Sequence, residues 1–205
     1  MISVVTLLWQ ANAKSRDFSR CYDDSWARKL FDGFARHLTR PFAKVLLTDR
    51  PRDLPSDIEQ IVQPDLGRGG YGDCIRAYGL DRPMILTGLD TVVTGNCDAL
   101  ADHCLTATRQ ALPRDPYNRG QACNGVALVP AGQRALADRH RGENDMDWVR
   151  RFPHAFIDDL FPGFVKSFKG DVKAGGLGDA RIVYFHGQEK PHQLAGHPLI
   201  VEHWR

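Results

Sequence analysis

The feature that most constrains the fold is the alternation of short apolar runs with segments of helical spacing. Runs rich in β-branched and apolar residues predict strands at 2–8, 44–48, 58–62, 84–87, 125–129 and 181–185. Between them, helices are predicted from a cap at 23–25 to Leu38, and at 73–80 and 148–160. Strands that alternate with helices pack as layers. The sequence therefore predicts an α/β fold, a mainly parallel sheet flanked by helices in a single domain spanning 1–205.

Composition narrows the class of protein. The 205 residues are 42% hydrophobic and 25% charged, which is typical of a globular domain, and the net charge of +2 predicts no strong attraction to polyanions. Five cysteines without a C-x-x-C pair argue against a disulfide framework or a zinc cluster and favour a reducing compartment. MISVVTLLW has no basic residues and is short for a signal peptide, so we expect no leader peptide, and no apolar run reaches membrane length. We expect a cytoplasmic protein without a membrane span.

Polar residues that directly follow predicted strands are the candidate ligand contacts, because ligands of open α/β sheets bind beyond the carboxyl ends of the strands. These residues are Trp9 to Asn12, Asp49-Arg50, Gly88 to Asp90 and His186-Gly187. Asp90 is the residue whose position most needs an explanation. It lies between two apolar runs, where an ionised acid is costly unless a positive group pairs with it. A divalent cation, a phosphate site or an arginine partner would each explain its position.

A glycine-rich stretch offers a competing interpretation. GRGGYG at 67–72 spells G-x-G-x-x-G, and Asp90 follows it at roughly the spacing of a ribose-binding acid. Read this way, the chain would be a nicotinamide-dependent oxidoreductase. The stretch is separated from the preceding strand by Pro64-Asp65-Leu66, however, and the helix that follows is short. We therefore favour a mobile loop that orders when a ligand binds.

Four segments, in order, resemble a known family. LTGLDTVVTGNCDAL at 86–100 resembles the strand and aspartate motif of GT-A-type glycosyltransferases, particularly relatives of the glycogenin-like family eight. Gly88-Leu89-Asp90 would occupy the D-x-D motif, with the first aspartate replaced by Gly88. NGVAL at 124–128 resembles the N-S-G-V-M strand, and DMD at 145–147 a D-Q-D-like element. YFHGQEKP at 184–191 resembles the closing H-F-x-G-x-x-K-P motif.

The resemblance implies roles for ten residues. A divalent metal, Mn²⁺ or Mg²⁺, would be held by Asp90 and His186, weakly because one aspartate of the pair is missing. The donor would be contacted by Trp9, Asn12, Asp49, Arg76, Gly187 and Lys190. The acceptor hydroxyl would be contacted by Asp145 and Asp147, which with Asp90 form the candidate catalytic set.

The resemblance implies transfer of a sugar from a nucleotide-diphosphate-sugar donor, with metal-assisted departure of the diphosphate. By the same analogy we expect the nucleotide to be UDP. The acceptor is left open among a glycan, a small molecule, a protein and a nucleic acid. Two alternatives remain beside it: the nicotinamide-dependent oxidoreductase, and a non-catalytic relative that binds nucleotide-sugars.

Overall fold

The computed structural model describes residues 1–205 and contains ten strands. They are β1 (Ile2–Leu8), β2 (Phe42–Thr48), β3 (Ile58–Val62), β4 (Met84–Thr87), β5 (Val92–Val93), β6 (Gln110–Leu112), β7 (Val126–Val129), β8 (His154–Phe156), β9 (Val165–Ser167) and β10 (Ile182–Tyr184). Seven form a sheet in the order β3-β2-β1-β4-β7-β6-β8, and three form a small sheet in the order β5-β10-β9. Within the large sheet only β7 runs antiparallel to its neighbours. The predicted α/β class with a mainly parallel sheet is confirmed.

Helices lie on both faces of the large sheet and around the small one. The α-helices are α1 (Asp24–His37), α2 (Asp98–Thr106), α3 (Ala135–Asp138), α4 (Asp145–Val149), α5 (Ile157–Leu160), α6 (Lys173–Gly175) and α7 (Pro198–His203). Three 3₁₀ segments, at Asp17–Ser19, Gly70–Leu80 and Pro191–Leu194, and a π-helical turn at Phe168–Val172 complete the helical elements. None of these helices has both the length and the apolar character needed to cross a bilayer.

The first helix shows how local sequence sets an element. Asp23, one of the three capping residues that the sequence offers at 23–25, caps α1: its side chain accepts a hydrogen bond from the backbone N–H of Ser25 at 2.9 Å. The apolar stripe of α1 is buried, with Phe31 and Phe34 fully enclosed. Pro41, which has no N–H to continue a helix, lies just beyond the end of α1. Burial of each such side chain contributes roughly 1.5–3 kcal/mol.

The core lies on both faces of the large sheet because strand side chains alternate in direction. Val4 of β1 packs with α1 in a cluster of 26 buried residues, whereas its neighbour Val5 packs on the opposite face in a cluster of 16. The second face is covered largely by the 3₁₀ segment Gly70–Leu80. A third cluster of eight residues supports the small sheet.

Two expectations about elements need correction. The predicted helix at 148–160 is wrong: α4 ends at Val149, β8 follows, and α5 begins at Ile157. The strand forms because β8 pairs in parallel with β6, a distant contact that overrides local helical spacing. The predicted helix at 73–80 is part of a longer 3₁₀ segment that begins at Gly70.

Candidate active site

One edge of the large sheet collects segments from four strands. β1 and β4 are parallel, so their carboxyl ends lie at the same edge. β7 runs antiparallel to β4, and β6 antiparallel to β7, so the start of β7 and the end of β6 lie there as well. The small sheet is attached to this edge through β5, which begins two residues after Asp90. The segment that follows β10 is thereby brought to the same place.

A cavity of about 430 Å³ opens at this edge. Its size is within the range of small-molecule sites. Most of its wall is apolar, with aromatic side chains from several elements: Trp9, Phe18, Tyr22, Tyr71, Tyr78, Tyr117, Tyr184 and Phe185. The ionisable side chains that line it are Asp90, Asp115, Asp145, His186 and Lys190, together with Cys74 and Cys123. An apolar cavity with a few converging polar groups is suited to a ligand that has both a ring and a charged part.

Asp90 and Lys190 form a buried ion pair at the floor of this cavity. Lys190 is 2% exposed and Asp90 8% exposed. The Lys190 ammonium donates to Oδ2 of Asp90 and, at 3.4 Å, to the carbonyl of Phe185. The Tyr22 hydroxyl donates to the same Oδ2 at 2.8 Å. The positive group that meets the buried acid is therefore a lysine 100 residues further along the chain.

Gly88, at the first position of the degenerate D-x-D motif, is closely fitted to Asp90. A Cβ at position 88 would lie 2.7 Å from Oδ1 of Asp90, closer than real Cβ contacts allow. An aspartate at this position would force the Asp90 carboxylate to move. The glycine at position 88 therefore leaves room for the carboxylate of Asp90 in the position that it occupies.

The segment that carries Lys190 into the cavity has an unusual backbone. Gly187 has φ +63° and Glu189 has φ +65°, in the left-handed region that glycine adopts without strain and glutamate adopts at a cost of roughly 1–2 kcal/mol. Backbone strain of this kind persists only where surrounding contacts hold it. Here the contacts are the burial of Lys190 against Asp90, the pairing of Glu189 with Lys173 at 2.6 Å, and the hydrogen bond from the Lys190 N–H to Gln193 at 2.8 Å.

His186 lies on the cavity wall beside this turn. Its Nε2 is 2.8 Å from the hydroxyl of Ser167. Burial, and then the charges of Lys169 and Lys190, lower the pKa of His186 below its usual value. The neutral imidazole is therefore the favoured form at neutral pH.

The two candidate acceptor acids have different surroundings. Asp145 lines the cavity and accepts a hydrogen bond from the side-chain amide of Asn124 at 2.6 Å. Burial raises the pKa of Asp145 above its usual value. Asp147 is exposed, does not line the cavity and pairs with Arg150 at 3.5 Å. Asn144 caps the start of α4, which positions Asp145 at the first helical residue.

The three candidate nucleoside contacts differ in whether they line the cavity. Trp9 lines the cavity, in edge-to-face contact with Tyr71. Asn12 lies outside the lining and donates to the carbonyl of Gly67 at 3.1 Å. Asp49 also lies outside it, held by Arg52 at 2.6 Å and by the backbone N–H of Gln10 at 3.1 Å.

Arg76 faces away from the cavity. Its guanidinium donates to both oxygens of Asp65, at 2.8 and 3.0 Å, and to Asp73 at 3.0 Å. The resemblance predicts that Arg76 contacts the sugar donor, but its guanidinium is already paired with two acids.

The glycine-rich stretch is held by its own hydrogen bonds. Asp73 accepts from the backbone N–H groups of Gly67 at 2.6 Å and Gly69 at 3.0 Å. The element that follows is a 3₁₀ segment beginning at Gly70, and the preceding strand β3 ends at Val62. A dinucleotide fingerprint requires a tight turn between a strand and an α-helix. The oxidoreductase interpretation lacks that structural context.

A divalent metal, as the resemblance implies, does not fit the donor groups around Asp90. The protein has no cluster of three or more His, Cys, Asp or Glu side chains arranged to hold a metal ion. One oxygen of Asp90 is taken by Lys190 and Tyr22, and His186 is engaged by Ser167. A dication here would also lie beside the Lys190 ammonium, whose like charge opposes it.

Sequence reasoning missed three polar contacts of the site. Tyr22 carries no signal of its own, because it precedes the cap of α1 and meets Asp90 only in the folded chain. Tyr117, 72% exposed, packs its ring edge-to-face against His186. Asn124 belongs to a segment of recognisable pattern, and its partnership with Asp145 could have been expected from the order of the motifs.

Many solved structures match the fold of this chain. Two of them are crystal structures of the glycosyltransferase GlyE from Streptococcus pneumoniae TIGR4, and one of these is the apo form. Each of these two matches covers 92% of this chain at 15% identity, with TM-scores of 0.54 and 0.55. This chain shares its fold with GlyE. It spans 55% of the length of the GlyE chain, and no protein-family model and no curated protein matches its sequence.

Proposed function

We propose that this protein is a glycosyltransferase of the GT-A type, related to the glycogenin-like family eight, that uses a nucleotide-diphosphate-sugar donor. The observation that carries the proposal is the cavity at the carboxyl edge of the sheet, where Asp90 and Lys190 meet. The fold shared with GlyE and the order of the four sequence motifs support it.

The cavity provides separate surroundings for the parts of such a donor. The aromatic side chains Trp9 and Tyr71 offer flat surfaces for the base and the ribose. Lys190 offers an ammonium beside Gly187, where the absence of a side chain lets a phosphate approach the backbone. UDP is the nucleotide that the resemblance favours.

The reaction requires one bond to break and one to form. The bond between the anomeric carbon and the diphosphate oxygen breaks, and its electron pair leaves with the diphosphate. The acceptor oxygen forms the new bond to the anomeric carbon and releases its proton. Lys190 stabilises the leaving charge in a site from which water is largely excluded, where electrostatic stabilisation is strongest.

Asp145 is the proposed proton acceptor. It lies in the cavity wall, and its raised pKa makes the ionised carboxylate a stronger base than a solvated aspartate. Asn124 holds the carboxylate in one orientation. Asp147, exposed and paired with Arg150, is not part of this proposal.

The test is a measurement of donor turnover with UDP-sugars, with Asp145→Asn as the variant. We expect about 100-fold or greater loss of hydrolysis or transfer, the usual contribution of a positioned base. Asp57→Asn is the matched control, because Asp57 pairs with Lys44 away from the cavity.

Equal rates in Asp145→Asn and Asp57→Asn would remove Asp145 from the mechanism. Thermal shifts distinguish the alternative functions, because a ligand that binds the folded state raises its melting temperature. A shift with NAD and none with any nucleotide-sugar would refute the transferase. Binding without turnover, over a broad acceptor panel, would favour the non-catalytic relative.

A further inference from the structure

A second lysine lies next to the turn that carries Lys190. Lys169 is half-buried on the π-helical turn Phe168–Val172. Its ammonium is 3.8 Å from the place a Cβ would occupy at Gly187, a residue of the cavity wall. Its charge is also one of the causes of the lowered pKa of His186.

Lys169 differs from the neighbouring lysines in having no partner. Lys173 pairs with Glu189 at 2.6 Å, and Lys166 donates to the carbonyl of Leu177 at 3.0 Å. The ammonium of Lys169 takes part in none of the ion pairs or side-chain hydrogen bonds of the protein. The hydrogen bond from Lys173 lowers the pKa of Glu189, and the charge of Lys169 adds to this effect, but that carboxylate is already paired with Lys173. Lys169 does not itself line the cavity, and an anion bound beside Gly187 would give it a direct partner.

Lys190 contributes a second positive group, which lines the cavity directly. An ammonium has three donors, and two of them point to Asp90 and to the Phe185 carbonyl. The ammonium also lies 4.8 Å from the centre of the Phe18 ring, a residue of the cavity wall. We infer that the third donor turns to a ligand phosphate when one is bound. Asp90 then acts as a positioning residue that holds the ammonium at the cavity floor.

We propose that Lys190 and Lys169 together bind the diphosphate of the donor in place of a divalent cation, so that donor binding and transfer need no metal. This inference rests on the proposed function and deepens it. The supporting observations are the ammonium of Lys169 near Gly187, the buried ammonium of Lys190 in the cavity lining, the side chain of Asp90 already occupied, and the close fit of Gly88 to Asp90.

The charges favour this arrangement over a metal. Two ammonium groups supply as much positive charge as one dication, and each donates directional hydrogen bonds to phosphate oxygens. His186 also lines the cavity, with its Nε2 held 2.8 Å from the hydroxyl of Ser167. Asp90 offsets one of the two ammonium charges, while Asp115, another acid of the cavity wall, is paired with Arg150 at 2.9 Å.

The test is calorimetry with a panel of nucleoside diphosphates (UDP, GDP, ADP, CDP and dTDP) and the matching nucleosides, in EDTA and in Mn²⁺. We expect one diphosphate to bind with the same dissociation constant in both buffers, and donor turnover to persist in EDTA. Lys169→Met should weaken the diphosphate about ten-fold or more and the nucleoside much less, because a charge-assisted hydrogen bond to phosphate is lost.

Lys44→Met is the control for net charge, since Lys44 pairs with Asp57 far from the cavity. Loss of diphosphate binding in EDTA with recovery in Mn²⁺ would overturn this inference and leave the transferase intact. Equal dissociation constants for Lys169→Met and Lys44→Met would remove Lys169 from the site. Failure of every diphosphate to bind in either buffer would refute both the inference and the proposed function. The Lys169 variant is preferred because Lys190 is buried and its replacement threatens folding.

Discussion

The strands β1 to β4 and the small sheet of β5, β9 and β10 both deliver residues to the cavity, but they are held by different forces. The first group has strands of four to seven residues in parallel pairing, and the apolar side chains of β1 and β4 are almost all buried. The small sheet has strands of two or three residues. It continues into a turn with two left-handed residues and ends at a buried lysine.

The first region forms the framework of the fold, whereas the second carries Lys190 into the cavity. Apolar packing in the first region is non-directional and contributes in proportion to buried area. The second region has only short strands, and besides its own cluster of eight buried residues it contains an ion pair, Asp90–Lys190, that joins it to the end of β4. We therefore expect the two regions to respond differently to substitution.

The largest effect is expected in the framework. Phe34→Ala in α1 leaves a cavity in the 26-residue cluster and should lower the free energy of unfolding by about 3–5 kcal/mol. Chemical denaturation measures it. A loss below about 1 kcal/mol would show that the packing of α1 does not dominate the stability of this region.

The next effect concerns the ion pair. Lys190→Met should lower the free energy of unfolding by about 3 kcal/mol, since it leaves Asp90 buried without a counter-charge. Adding Asp90→Asn should restore part of the loss, because the uncompensated charge is removed as well. Additive losses in this double-mutant cycle would mean that the two residues do not act as a pair.

A smaller effect is expected where the two sheets meet. Gly125, just before β7, has no room for a side chain, because a Cβ there would lie 2.4 Å from the Tyr184 ring of β10. Gly125→Ala should cost about 1–3 kcal/mol through overpacking. Gly175→Ala is the matched control, since nothing lies within 4 Å of its added Cβ. Equal melting temperatures for the two variants would contradict close packing at this junction.

The smallest effect belongs to a purely local contact. Asp23→Ala removes the cap of α1 and should cost about 1 kcal/mol. Asp32→Ala, at an exposed position on the same helix, should be neutral or slightly stabilising, since alanine has the higher helix propensity. Indistinguishable midpoints of urea unfolding would show that the cap does not hold the start of α1.

The sequence by itself determined the elements whose signals are local. The β-branched runs of β1 and β3 set those strands at the predicted residues, and the cap at Asp23 set the start of α1. The order of motifs also pointed to the edge where Asp90, Asp145, Gly187 and Lys190 line one cavity. These features follow from alternation, capping and strand ends, which neighbouring residues encode.

Only the tertiary structure decided which charges meet. Asp90 pairs with a lysine 100 residues away, while Arg76 is taken by Asp65 and Asp73 and points elsewhere. β8 replaced a predicted helix because β6 was available as a partner. Such contacts depend on how distant segments are packed together, and their energies exceed the local preferences that a sequence pattern reports.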